Sequence, residues 1–150
     1  MSSWMVVLMM VGSGAVMAFQ APINAALRGH VGTFESSLIS FCVGTLALIV
    51  IVALTRDGNL SNVRNVSWWQ LLGGLIGALF VTTTLLSAPK IGVTGMIVAA
   101  LAGQMTAALL IDQFGWMGVT RKPVDLHRVA GLLLLGVSVA LINWNSWKKA

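Results

Sequence analysis

Five stretches free of Lys, Arg, Asp and Glu run from Met1 to Leu27, Ser36 to Thr55, Asn65 to Pro89, Ile91 to Ile111 and Val129 to Trp147. Each is close to the roughly 20 residues that a helix needs to cross a hydrocarbon core of about 30 Å. The charged residues fall in the gaps or at the ends, so the pattern predicts membrane-spanning helices. Trp prefers the headgroup level, and its positions sharpen the ends. Trp4 opens the first span, Trp68 and Trp69 open the third, Trp116 follows the fourth, and Trp144 with Trp147 close the fifth. The predicted helices are 3–27, 36–55, 68–88, 91–112 and 128–147, with Asn65 to Ser67 as a capping approach to the third. The fold class is all-α integral membrane, a single transmembrane domain over residues 1–150 with its termini on opposite sides.

Composition removes the soluble alternatives. The chain is 57% hydrophobic and 9% charged, where soluble domains carry about 25% charged residues. The net charge of +5 is spread singly and in pairs through the connections, which fits anionic headgroups of the lipid bilayer and not nucleic acid. Cys42 is the one cysteine, so neither an internal disulfide nor a CxxC metal site can form. No metal or other cofactor is expected. No nucleophile and base pair or phosphate loop is present, and the chain does not read as an enzyme. The first stretch lacks a basic leader and is longer than the ~7–15-residue core of a signal peptide, so it is expected to remain as a helix.

The connections differ. Between spans three and four only Ser87-Ala88-Pro89-Lys90-Ile91-Gly92 intervenes, which predicts a tight antiparallel hairpin with Pro ending one helix and Gly easing the turn. Thr55-Arg56-Asp57-Gly58-Asn59 begins the longest polar connection, and Gly118 to Arg128 forms the most basic one. Within the spans, Gly73 and Gly77 in the third, and Gly95, Ala99, Gly103 and Ala107 in the fourth, offer small faces. Such faces let helix backbones approach closely in lipid; the plainer alternative is that Gly is common in membrane helices.

Orientation is left nearly balanced. One side carries Arg56, Arg64, Arg121, Lys122 and Arg128, and the other carries Arg28, Lys90, Lys148 and Lys149. The positive-inside bias has one residue of difference to act on, so copies could insert both ways and pair as an antiparallel homodimer of ten helices, the symmetry that many transporters obtain from inverted repeats. A fixed orientation with a homologous, oppositely oriented subunit is the other arrangement.

Polar side chains inside a membrane are costly unless paired or facing water, which makes each a functional candidate. Gln20 and Asn24 lie four residues apart, hence on one helix face, with Pro22 between them; they read as a solute-lining stripe or as an interhelical clamp. Gln104, next to Gly103, is an amide near the middle of the fourth span. Of Thr82, Thr83 and Thr84, Thr84 shares the Gly73 and Gly77 face, while the others can return their hydroxyls to the backbone. Glu35 enters the second helix and Asp112 leaves the fourth. Either could hold a coupling proton or cation. Glu35 also complements the positive end of its helix dipole, whereas Asp112 opposes the dipole at its own position and calls for another reason.

The runs Gln20-Ala21-Pro22-Ile23-Asn24-Ala25-Ala26-Leu27-Arg28, Ser40-Phe41-Cys42-Val43-Gly44-Thr45, Gly73-Gly74-Leu75-Ile76-Gly77-Ala78, Gly103-Gln104 and Leu110-Ile111-Asp112-Gln113-Phe114-Gly115 resemble the YdcZ-type branch of the drug/metabolite transporter superfamily. The resemblance extends over almost the whole chain and implies five-helix units that work as dual-topology chains, opposed pairs or fusions. The residues and the resemblance together lead to the expectation of a multi-pass protein of the bacterial inner membrane that moves a small-molecule solute, polar or amphipathic, by alternating access. Gln20, Asn24, Gln104 and Thr84 are the expected solute contacts, Asp112 and Glu35 the coupling-ion candidates, and Gly73, Gly77 and Gly103 the packing positions. The alternatives are a two-fold symmetric channel and a non-transporting partner subunit. Related small multidrug carriers keep a carboxylate in the middle of the first helix; this chain has none there.

Overall fold

The computed structural model describes residues 2–56 and 58–148. Asp57 of the polar turn, Lys149 of the terminal charge pair, Met1 and Ala150 lie outside them. Regular structure among the described residues is helical: α1 (Ser3–Ala18), α2 (Gln20–Val31), α3 (Thr33–Thr55), α4 (Gly73–Phe114) and α5 (Leu126–Trp147), with 3-10 turns at Leu60–Asn65, Trp68–Leu72 and Trp116–Gly118. Four helical segments are long and apolar enough to cross a membrane: Ser3–Val31, Thr33–Thr55, Trp68–Phe114 and Leu126–Trp147.

The third of these has 47 residues, which at about 1.5 Å per residue is roughly twice the hydrocarbon thickness. Its backbone leaves the helical region at Gly92 (φ 75°, ψ 163°). Where the sequence predicts a turn within Ser87 to Gly92, the chain instead stays helical through Pro89 and breaks at one residue. That φ is accessible to glycine because it has no Cβ.

Proline also explains the other departure. The expected helix 3–27 is divided at Phe19, whose N–H turns back to the Val16 carbonyl at 3.1 Å. Pro22 has no N–H for the carbonyl of Ala18, four residues earlier, and its ring crowds that carbonyl. Accordingly α1 ends at Ala18, and α2 then runs four residues beyond the predicted end to Val31. Gly32 (φ 103°) is the sole residue between α2 and α3. Ser67 and Gln70 form a capping box ahead of α4, and Asp125 caps α5 by accepting from the Arg128 N–H at 2.9 Å.

The chain forms two compact units, Met1–Leu86 and Ser87–Ala150. In the first, α2 folds back on α3 across Gly32, and the start of α4 meets α3 at Gly77, where an added Cβ would lie 3.3 Å from Cζ of Phe41. In the second, the rest of α4 runs antiparallel to α5, with Asp112 beside Arg128 and Gly95 beside Asn143. Aliphatic side chains such as Leu38, Leu46, Leu75 and Leu134 are exposed; Asn24, Ser36, Ser37, Val81 and Leu85 are buried in the first unit, and Met96 and Asn143 in the second. Apolar outside and partly polar inside is the distribution of a protein whose solvent is lipid.

Candidate solute-binding site

The first unit gathers its polar groups where α2, α3 and the start of α4 meet. Asn24 is 4% exposed. Its Oδ1 accepts from the Ser40 hydroxyl at 2.5 Å and its main-chain carbonyl accepts from Ser36 at 2.8 Å. Ser37 donates to the Thr33 carbonyl at 3.2 Å and accepts from Thr82 at 3.1 Å. Four residues beyond Asn24, hence on the same face of α2, Arg28 donates through Nη1 to the Leu85 carbonyl at 2.6 Å.

Several sequence-derived candidates lie elsewhere. Gln20 is exposed and shares the face with Asn24 without joining its hydrogen bonds. Thr84 and Thr83 return their hydroxyls to their own helix, at Val81 and Leu79, so the threonine that bridges helices is Thr82. Glu35 is exposed, with its carboxylate folded over Gly32 at the start of α3. This is the arrangement in which an anion complements the positive end of a helix. Of the three packing glycines, Gly77 meets Phe41, whereas Gly73 and Gly103 have nothing within 4 Å of an added Cβ.

The second unit places Asp112 in an ion pair with Arg128, 3.1 Å apart and about one-third exposed on each side chain. That supplies the other reason for a carboxylate at a helix C-terminus. The connection behind it is tied down as well, since Gln113 accepts from the Val124 N–H at 2.7 Å and its carbonyl accepts from Arg121 at 2.8 Å. Gln104 is exposed.

Asn143 is a polar residue that the sequence reading passes over, because it adjoins Trp144 and merges with the interfacial end of the span. It is 2% exposed. Nδ2 donates to the Val139 carbonyl at 3.0 Å and to the Gly95 carbonyl at 3.5 Å, while Oδ1 has no hydrogen-bond partner among the described residues and lies against Gly95. The signal available was the Gly95 ladder combined with a lone amide in an apolar run.

An apolar exterior, hydrogen-bonded polar residues between helices and several crossing-length segments define a multi-pass α-helical membrane protein. The family model described as "Putative inner membrane exporter, YdcZ" matches residues 5–141. The chain belongs to that family and is a multi-pass protein of the inner membrane. It is similar to the Inner membrane protein YdcZ of Escherichia coli (strain K12), 30% identical over 85 residues. The alignment covers 57% of this chain and 56% of that protein, so it spans little more than half the length of the relative. No solved structure matches the chain.

Proposed function

We infer that the chain transports a small polar or amphipathic solute across the inner membrane by alternating access between two oppositely inserted copies. The observation that carries this reading is the amide and hydroxyl cluster around Asn24, enclosed in a chain whose outer face is aliphatic. A polar cluster at membrane depth is retained for a reason, and a solute path is the ordinary one. The Gly92 break divides the 47-residue segment into two crossings, which makes five spans per copy and ten in the pair. The near-even split of Lys and Arg supports insertion in both directions.

In this reading Asn24 contacts the solute from within the first unit. Gln20 and Gln104, exposed on the single chain, contribute from faces turned toward the cavity between copies, with Thr84 assisting. Gly73 and Gly103, open in the single chain, accept the second copy. Asp112 serves as the coupling-ion candidate by parting from Arg128 during the cycle, and Glu35 guards the entrance.

Two measurements test the reading. With the exposed Cys42 replaced by Ala and one cysteine appended at the C-terminus, an impermeant thiol reagent should label about half of the population in intact cells. Labelling from one side alone overturns dual insertion and directs the search to an oppositely oriented homologous subunit. In proteoliposomes the purified chain should give saturable flux with exchange between labelled solutes, whereas currents that scale with voltage identify a channel. The site assignment is lost if Gln20→Ala, Asn24→Ala and Gln104→Ala together leave saturable flux unchanged.

A further inference from the structure

The hydrogen-bonding capacity left over beside Asn24 and Arg28 is weighted toward donors. Asn24 Oδ1 and its carbonyl already accept from Ser40 and Ser36, which commits both hydroxyl protons. Asn24 Nδ2 has two N–H groups and makes no hydrogen bond to an acceptor among the described residues. Arg28 uses one of its five N–H groups on the Leu85 carbonyl and keeps four. No carboxylate among the described residues lies within ion-pair distance of Arg28; that of Glu35 is folded over Gly32. The hydroxyl oxygens retain lone pairs, but these are neutral acceptors beside a fixed positive charge.

We propose that this face receives an anionic oxygen group, a carboxylate or a phosphate, on the transported solute, with Arg28 as its charged partner and Asn24 Nδ2 as the donor that orients it. This rests on the transporter reading given above. A guanidinium presents parallel N–H bonds that match the two oxygens of such a group, and the Leu85 carbonyl holds it in place before the solute arrives. A cationic solute would meet a like charge with no opposing carboxylate paired to it among the described residues.

The test separates the charge of Arg28 from its structural bond. Pro89→Ala restores a main-chain N–H for the Leu85 carbonyl, so Arg28→Gln can be read in that background without leaving the carbonyl bare. Proteoliposomes would be given labelled succinate, inorganic phosphate, tetramethylammonium and glucose, and the same solutes would be tested for thermal stabilisation of the detergent-solubilised chain. The expected result is saturable uptake and stabilisation by an anion in wild type and in Pro89→Ala, each reduced at least tenfold by adding Arg28→Gln, with the variant still eluting as folded protein. Preference for tetramethylammonium or glucose, or anion uptake indifferent to Arg28, overturns the proposal and leaves the transporter reading standing. Absence of flux for every probe, with Arg28-dependent stabilisation by an anion retained, overturns the transporter reading and keeps the anion site. Stabilisation by phosphatidylglycerol and by none of the soluble anions assigns the guanidinium to a lipid headgroup and overturns the solute assignment.

Discussion

Arg28 donates to the carbonyl oxygen of Leu85 at 2.6 Å, and that carbonyl is the one that Pro89, four residues on in α4, cannot serve with an N–H. The proline frees an acceptor at a buried residue, where an unmade hydrogen bond is costly, and a side chain from α2 takes it. The arginine is therefore part of the way α4 is completed as well as a charge at the end of a span.

This relationship predicts a specific coupling. Arg28→Gln should cost about 1–3 kcal/mol of stability, the usual range for stranding a buried acceptor. In the Pro89→Ala background the same substitution should cost markedly less, because the carbonyl has its helical partner again. Unfolding of the four variants in mixed micelles on titration with SDS gives the cycle, and equal costs in both backgrounds would show that the two residues are independent.

Gly95 and Asn143 form a second coupled pair. A methyl at Gly95 would collide with the Asn143 carboxamide, so Gly95→Ala should lose about 1–3 kcal/mol by overpacking, despite the better helix propensity of Ala. Asn143→Ala should recover most of that loss, since it vacates the space and removes an unsatisfied oxygen. The same SDS titration reads both variants.

At Gly77 the outcome depends on size. A Cβ there would lie 3.3 Å from Cζ of Phe41, close enough that the ring has to yield slightly, and Gly77→Ala should be near neutral once the propensity gain is included. Gly77→Leu should be destabilising by about 1–3 kcal/mol and partly relieved by Phe41→Ala. Gly103→Leu, at a position open in the single chain, should leave monomer stability within about 0.5 kcal/mol and weaken association with a second copy, measured by cross-linking yield in membranes.

The Asp112–Arg128 pair is about one-third exposed, and pairs of that kind contribute ~1 kcal/mol or less. Asp112→Asn should therefore change stability little. If it abolishes solute flux while the variant unfolds at the wild-type SDS fraction, the carboxylate serves the transport cycle; unchanged flux would leave it as a tie between α4 and α5.

Much of the architecture is legible in the residues, because exclusion of charge from hydrocarbon is a strong and local constraint. A charge, a Trp or a capping residue marks a helix end plainly, as Ser67 does ahead of α4. Breaks are marked less plainly. Pro22 divides the first predicted helix at Phe19, and Pro89 leaves the next turn helical until Gly92; the sequence holds the same residue type in both, and the surrounding backbone decides the result. Asn24 was legible as a buried amide. The partners Ser36 and Ser40, and the choice of Thr82 over Thr84, depend on how α2, α3 and α4 are rotated against one another, which a period of 3.6 residues leaves open among faces of similar apolarity. Asn143 was obscured by its neighbour Trp144.

The single-residue link at Gly32 bears on how the chain enters the bilayer. Asn24, Ser36 and Ser40 would each be poorly tolerated by lipid on a helix inserted alone, yet the link is so short that α2 and α3 close on one another as soon as both have emerged. Their polar groups are thereby matched to one another within a single hairpin. Synthesis of α3 is therefore expected to favour insertion of this segment, because Asn24 gains its hydroxyl partners only then.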